Sequence, residues 1–370
     1  MQLRASEPRA ARDDAPGVPQ AGAPQAGRRL GFFTRLLDDA DPAERYRLAA
    51  EQIVRAEALG FEAAWVAQHH FDRDEGGLPA PVPFLAYVAA RTQRIRLGTG
   101  VITLPLENAI RVAEDTAVLD ALSGGRLDIG FGSGGNPSAF SAFGLDSAQR
   151  AEVFARQLRL ILDAWDGKPI KGTGNRLYPP APHLSGRIWY ATFSPHGGAL
   201  AGRAGYGLML SRTQPRPADA RHAALADIQQ PIVDAYLAAL PGGVAPRILG
   251  SRTVFVADDR ATARRLADAG LRRALTRLAA FGNVAPGETL DEIIAAFDVH
   301  VGTPADVIAS LRADRTLTRV TDLAFQVHSV DPPHPFILRS LELIAAEVAP
   351  ALGWQRASPR AAAVPLAATG

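Results

Sequence analysis

The stretch WVAQHHF, residues 65 to 71, ends an apolar run in two adjacent histidines. Imidazoles titrate near neutrality, so His69 and His70 are candidates to give or take a proton. Side chains alternate across a strand, so the two must diverge unless the strand has already ended. Three segments elsewhere could hold an anion beside them. GFGSGG at 130–135 offers backbone N–H groups around Gly132, Ser133 and Gly134. SPHGG at 194–198 places Ser194 and the amides of Gly197 and Gly198 at a helix start, where phosphate binds well. Thr99, Gly100 and Val101 form a third backbone-rich stretch, and Arg212 could bring a guanidinium to a phosphate. Glycine-rich turns and a capped helix without ligand explain the same residues, so these segments do not by themselves decide for a cofactor.

Other chemistry is poorly supported. Cysteine is absent, which removes disulfides, thiolate metal sites and a cysteine nucleophile. Adjacent histidines do not readily chelate one ion, and no carboxylate stands at helical ligand spacing from them, so no metal is expected. No G-x-S-x-G marks a strand-to-helix turn, which argues against a serine hydrolase.

The elements that must position these residues are legible as a βα alternation. Apolar, β-rich runs begin near residues 30, 62, 94 and 126 and recur at 187–194, 206–211, 247–257 and 319–329, with helix-period segments between them. The first helix carries a full set of signals: Asp41 as cap, Pro42 in the first turn, Tyr46, Ala49, Ile53 and Ala56 at intervals of three and four, and Gly60 as stop. A closing helix is expected from Phe336 to Val348. Eight βα units predict a (β/α)8 TIM barrel, although a doubly wound sheet fits the same alternation. Residues 133–186 and 258–318, after strands 4 and 7, are too long for simple crossovers and read as active-site insertions. The second contains an arginine-studded amphipathic helix and then a Gly/Pro-punctuated loop, read either as a mobile lid, open to proteolysis between Phe281 and Glu288 in the free protein, or as an inert surface insertion. In a barrel the C-terminal strand ends share one face, so every candidate residue named above converges there.

The formal charge of +2 comes from the ends: the first 29 residues hold five basic and three acidic side chains, and the segment after Gly353 adds two arginines. The remainder is slightly acidic, so no nucleic-acid face is expected. Residues 1–28 and 353–370 are poor in large apolar side chains and are expected to be disordered tails around a domain at 29–352. No run is long enough to span a membrane, and a cytoplasmic protein is expected.

Taken together, AEALGFEAAWVAQHHF, LGTGVITLP, RVAEDTAVLDALSGGRLDIGFGSGG followed by FSAFG, and VGTPADVIASL resemble the bacterial luciferase-like family of flavin-dependent monooxygenases, in order and spacing, over about Leu30 to Pro350. The resemblance implies a (β/α)8 barrel that binds FMN, reduced by a separate flavin reductase, and uses O2 to oxidise a small organic substrate through a C4a-hydroperoxyflavin, with a homodimer as the expected assembly. It makes His69 the catalytic histidine beside the flavin and His70 its neighbour. Gly100 and Val101 match the dipeptide under the flavin ring, often joined by a cis bond. Glu114, Asp115, Asp120, Ser123 and Arg126 carry a helix-to-strand signature whose expected work is structural. Two departures stand out: Ser133 sits where an arginine often clamps the flavin phosphate, and Ala139 replaces an acidic residue. Alternatives within and beyond the family are an F420-dependent oxidoreductase and a flavin-binding protein without turnover.

Overall fold

A computed structural model describes residues 28–216, 220, 223–280 and 287–354. The expected tails, apart from Arg28, Gly353 and Trp354, and most of the interval between Phe281 and Glu288 where cleavage is expected lie outside the described residues.

The chain forms a closed parallel barrel. Its strands are β1 (Arg29–Thr34), β2 (Ala63–Val66), β3 (Arg96–Thr99), β4 (Ile102–Thr103), β5 (Leu127–Gly132), β6 (Ile188–Ala191), β7 (Gly207–Leu210), β8 (Ile248–Val256), β9 (Val299–Gly302) and β10 (Asp322–Gln326). Each of β1, β2, β3, β5, β6, β7 and β8 pairs in parallel with its neighbours, and β10 pairs with both β1 and β8, which closes the ring and excludes a doubly wound sheet. All eight expected strands are present. The sequence pattern missed the two-residue β4 and β9, which lies inside an insertion. β4 takes over from β3 as partner of β5, at Ile102 and Phe131, and β9 pairs with Thr253–Val256, where β8 outruns the barrel.

Strands buried on both faces read as nearly continuous apolar runs, which is why they were visible. Inside the barrel Trp65 and Trp189 meet edge to face, with ring centroids 5.6 Å apart. Each indole needs a missing side chain opposite it: a Cβ at Gly98 would lie 2.1 Å from the Trp65 ring, and one at Gly207 would lie 2.4 Å from Trp189. Below them alternating charges plug the N-terminal end, with Arg29 2.5 Å from Asp322 and Arg96 2.7 Å from Asp128. The barrel is therefore accessible from its C-terminal mouth.

The outer helices follow their caps. Asp41 accepts from the Glu44 amide, Pro42 opens the helix Pro42–Ala58, and Gly60 leaves it with φ 90°. The helix-to-strand signature is structural, as expected: Arg126 donates to the carbonyls of Ala89, Thr92, Ile95 and Ser123, and Asp120 binds Arg187 at 2.9 Å and His183 at 2.6 Å. The closing helix starts slightly earlier than expected, at His334, and runs to Leu343 before a wider turn over Ile344–Val348. The core also extends past residue 352, because Trp354 is only 2% exposed and Arg28 lies over its ring. The insertion after β5 holds the helices Pro137–Ala142 and Arg150–Trp165; the one after β8 holds Arg260–Ala280, Leu290–Ala296, β9 and Pro304–Ala313.

Candidate active site

The mouth is an open cleft with an apolar floor and a polar rim. Phe33, Val101, Ala191, Met209 and Leu249 form the floor, and His69, His70, Arg35, Arg212, Gln326, His328 and Asp331 stand around it. Each rim residue follows the C-terminal end of a strand, apart from Gln326, which is the last residue of β10. Both long insertions contribute walls: Phe140, Phe154 and Leu158 from the first, Arg273 and Arg277 from the second.

β2 ends at Val66, so the two histidines lie beyond the strand and both line the cleft. They differ in environment. His70 packs on the exposed aromatics Phe71 and Phe143 at the rim, 5.0 Å from the latter's ring. His69 is deeper. Its amide is held by the Leu78 carbonyl, a Cβ on Gly76 would come within 2.5 Å of its Nδ1, and its Nε2 lies 2.8 Å from Nη2 of Arg35. A guanidinium can only donate, so Nε2 accepts and the ring proton belongs on Nδ1. That Nδ1 is buried without a hydrogen-bond partner among the described residues. Burial, reinforced by Arg35, His328, His70 and Arg277, pushes the His69 pKa down to about 2. An imidazole titrating near neutrality was expected; the structure instead gives a neutral ring that offers one N–H. The physical reasons are burial and a guanidinium within hydrogen-bond distance, carried just after β1 and invisible in the local motif.

Arg35 and the β10 loop are the parts that sequence reasoning missed. Arg35 also donates to the Glu75 carbonyl, which ties it to the loop behind His69. His328 Nδ1 is 2.6 Å from Asp331 Oδ2, and burial brings its pKa down to about 4 despite that carboxylate. The only available signal was the VHSVD stretch just after the last strand. Helix Arg260–Ala280 secures this side of the mouth: Arg277 binds Asp72 at 3.0 Å and the Asp74 carbonyl, while Gly270 lets the helix approach the Val330 carbonyl.

The expected cofactor-binding residues separate into two groups. Gly100, Val101, Gly132, Ser133, Gly134, Ser194 and Gly197 line the cleft, and the Gly100–Val101 bond is cis, as the resemblance implied. At Gly132 and Gly134 a Cβ would come within 2.6 Å of Val101 and 2.5 Å of Thr103, so only glycine keeps this wall thin. Thr99 turns away: its hydroxyl bridges the amide and carbonyl of Gly130, replacing ladder bonds where β3 leaves β5. Gly197 and Gly198 have their amides occupied by Ser194 Oγ and the Ser194 carbonyl, which caps helix Pro195–Arg203. Gly198, with Gly202 one turn on, mainly serves packing, because a Cβ there would meet the Ile232 or Tyr236 carbonyl of helix Leu225–Ala239 at 2.5 and 2.3 Å. Arg212 also lines the cleft; it is 4% exposed and reaches Ser329 Oγ, on the loop after β10, at 3.4 Å.

Comparison with known proteins now decides the family. Residues 29–321 match the luciferase-like monooxygenase family. The chain belongs to that family. Among curated relatives, limonene 1,2-monooxygenase of Rhodococcus erythropolis is 28% identical over 325 residues, 81% of this chain and 80% of the relative. The F420-dependent glucose-6-phosphate dehydrogenase of Amycolatopsis mediterranei is 30% identical over 186 residues, 44% of this chain and 56% of the relative. Several matches are partial: the chain spans about half the length of the curated relatives matched first, as with the uncharacterized protein y4vJ of Sinorhizobium fredii, 32% identical over 45% of this chain and 49% of y4vJ. Among solved structures, the monooxygenase RslO1 of Streptomyces bottropensis superposes with a TM-score of 0.70 at 28% identity, covering 87% of this luciferase-like chain and 99% of RslO1. The oxygenating constituent of 3,6-diketocamphane monooxygenase from Pseudomonas putida, solved with FMN, gives 0.67 at 20% identity over 88% and 98%, a likeness of fold. No helix among the described residues is long and apolar enough to cross a membrane.

Proposed function

We propose that this luciferase-like protein is an FMN-dependent monooxygenase that uses reduced flavin and O2 to oxidise a small organic substrate in the barrel mouth. The observation that carries this reading is the buried, unpartnered Nδ1 of His69 at the edge of an apolar-floored cleft. A buried donor without a partner is costly unless a ligand meets it. Gln326 Oε1 and His70 Nε2 are unpartnered in the same cleft, and the thin glycine wall beside them leaves room for a planar group. These features fit a flavin.

The residues that would hold FMN are Gly100 and Val101 under the ring, with Ser133, Gly134 and Ser194 toward the phosphate. In place of the missing arginine, Arg150 and Arg159 of the first insertion are cations that line the same cleft. Bound reduced flavin would supply two electrons, so that one oxygen atom of O2 enters the substrate and the other leaves as water. The chain's own part is to exclude water with the insertions and to present the His69 Nδ1–H, whose direction Arg35 fixes through Nε2. A fixed donor in a dry site acts on developing negative charge without reorganising. His70 remains a neighbour at the rim, close enough to the cleft to touch substrate. A separate flavin reductase, a homodimeric assembly and a cytoplasmic location complete this reading.

The partial match to an F420-dependent dehydrogenase favours one alternative, hydride transfer with F420. Anaerobic titration of the full chain with oxidised FMN, reduced FMN and F420 separates the two. Tightest binding of reduced FMN, followed by oxygen consumption with an oxygenated product, is expected. Binding of F420 alone would replace the proposal with hydride transfer, and flavin binding without any product would leave a carrier.

A further inference from the structure

Two guanidiniums in the cleft, the buried Arg212 and the half-buried Arg35, form no ion pair among the described residues. Arg212 has five N–H donors and, among the described residues, a single hydrogen-bond partner, Ser329 Oγ at 3.4 Å, longer than an ordinary hydrogen bond. Arg35 meets an imidazole nitrogen and a backbone carbonyl, its Nε is unpartnered, and it forms no ion pair among the described residues. A buried arginine elsewhere in this chain shows what satisfaction looks like. Arg252, with no exposed surface, binds Asp314 at 2.5 Å, the Ser251 carbonyl at 2.7 Å and Gln229 at 2.9 Å.

The carboxylates in the field of Arg212 are already committed. Asp331 bonds to His328 at 2.6 Å, and Asp298 bonds to Arg216 at 2.6 Å. In the field of Arg35, Glu75 holds Asn136 and Asp72 holds Arg277. Burial and mutual repulsion between the two guanidiniums lower the pKa of Arg212 to about 9, so it remains charged at neutral pH. A desolvated cation without a counter-ion destabilises the protein unless a bound anion completes it.

We propose that Arg212, with Arg35 beside it, is the subsite for a carboxylate on the substrate, so that this luciferase-like protein acts on an organic acid. The proposal rests on the monooxygenase reading of the same cleft and adds its substrate class. The planar fork of Arg212 matches a carboxylate in two parallel hydrogen bonds. The floor of Phe33, Met209 and Leu249 then takes the apolar body of the acid. Asp331 and Asp298 nearby oppose a doubly charged phosphate more than a singly charged carboxylate.

The test uses the full chain without flavin, so it does not depend on which cofactor binds. Calorimetric titration with benzoate and with its neutral isostere benzamide is expected to show benzoate bound at least about tenfold more tightly, the scale of a charge-assisted bond. Arg212→Met should abolish that preference, while Arg212→Lys retains part of it. Circular dichroism and the melting temperature establish folding of each variant, and the wild-type comparison stands even if a variant does not fold. Equal binding of benzoate and benzamide by the wild type overturns the proposal, as does an undiminished preference in a folded Arg212→Met protein. A large loss of FMN affinity with riboflavin affinity unchanged in Arg212→Met also overturns it, because the guanidinium would then serve the flavin phosphate. Flavin binding without benzoate preference removes the subsite and keeps the monooxygenase reading; benzoate preference without binding of FMN or F420 does the reverse.

Discussion

The two nitrogens of His69 can be tested separately, because asparagine and glutamine each reproduce one of them. The amide nitrogen of an asparagine falls near Nδ1, and the amide oxygen of a glutamine can reach the Nε2 position and accept from Arg35. In His69→Asn the Arg35 donor, 2.8 Å from Nε2 in the wild type, loses its acceptor in a largely buried setting. An unsatisfied donor of this kind costs about 1–3 kcal/mol. With an unfolding entropy of about 0.7 kcal/mol/K for a domain of this size, the melting temperature should fall by about 1.5–4 °C. His69→Gln retains the acceptor and should melt within about a degree of the wild type on the same scale. The order reverses for chemistry. Losing a fixed donor to developing charge costs about 10² to 10³ in rate, so reoxidation of bound reduced FMN by O2, followed by stopped-flow absorbance, should slow by that factor in His69→Gln and much less in His69→Asn. FMN affinity should change only a few-fold in either. Since the His69 pKa lies at about 2, the wild-type rate should show no inflection from this group between about pH 5 and 8. Full activity in His69→Gln, or an inflection near pH 6.5 that both variants lose, would refute the assignment of Nδ1–H as the working donor.

Further outcomes follow from the fold. Gly198→Ala places a Cβ 2.5 Å from the Ile232 carbonyl and should cost about 1–3 kcal/mol in urea denaturation with FMN affinity nearly unchanged; lost affinity at full stability would return the glycine to the cofactor site. His300 is buried beside Arg252 and hydrogen-bonded to Ser310, with its pKa lowered to about 4. The unfolded chain therefore binds more protons than the folded one from about pH 6.5 down to 4, and stability is lost as pH falls through that window. Compared with His300→Gln, the wild type should lose about 1.4 kcal/mol more per pH unit there, and parallel curves for the two would contradict this. Asp120→Ala strips Arg187 and the Leu127 amide of a carboxylate and should cost about 2–3 kcal/mol by thermal unfolding without altering FMN affinity.

The eight barrel strands were legible because each is buried on both faces and so appears as a short apolar run between helical periods. β9, no shorter than β2, β3, β6 or β7, was missed because it sits inside an insertion, where its pairing with the overhanging end of β8 depends on that strand's length. Thr99 and Gly198 were assigned to a cofactor by position, yet contacts distant in sequence redirect them: Thr99 to Gly130 on the next strand, and Gly198 to a helix carbonyl at Ile232. Motif position indicates which strand end a residue occupies, not where its polar atoms point.

The sequence by itself determined the βα alternation, the barrel's strand ends and the residues His69, Gly100, Val101, Gly132 and Ser133 placed upon them, because periodicity, caps and glycine positions act locally. Tertiary structure alone decided the electrostatics. Arg35 follows the first strand and His328 the last, and only the pairing of β10 with β1 brings them to one side of the mouth. Charge interaction falls off with distance in space rather than along the chain, so the tautomer of His69, its lowered pKa and the unpaired state of Arg212 emerge only when the barrel closes.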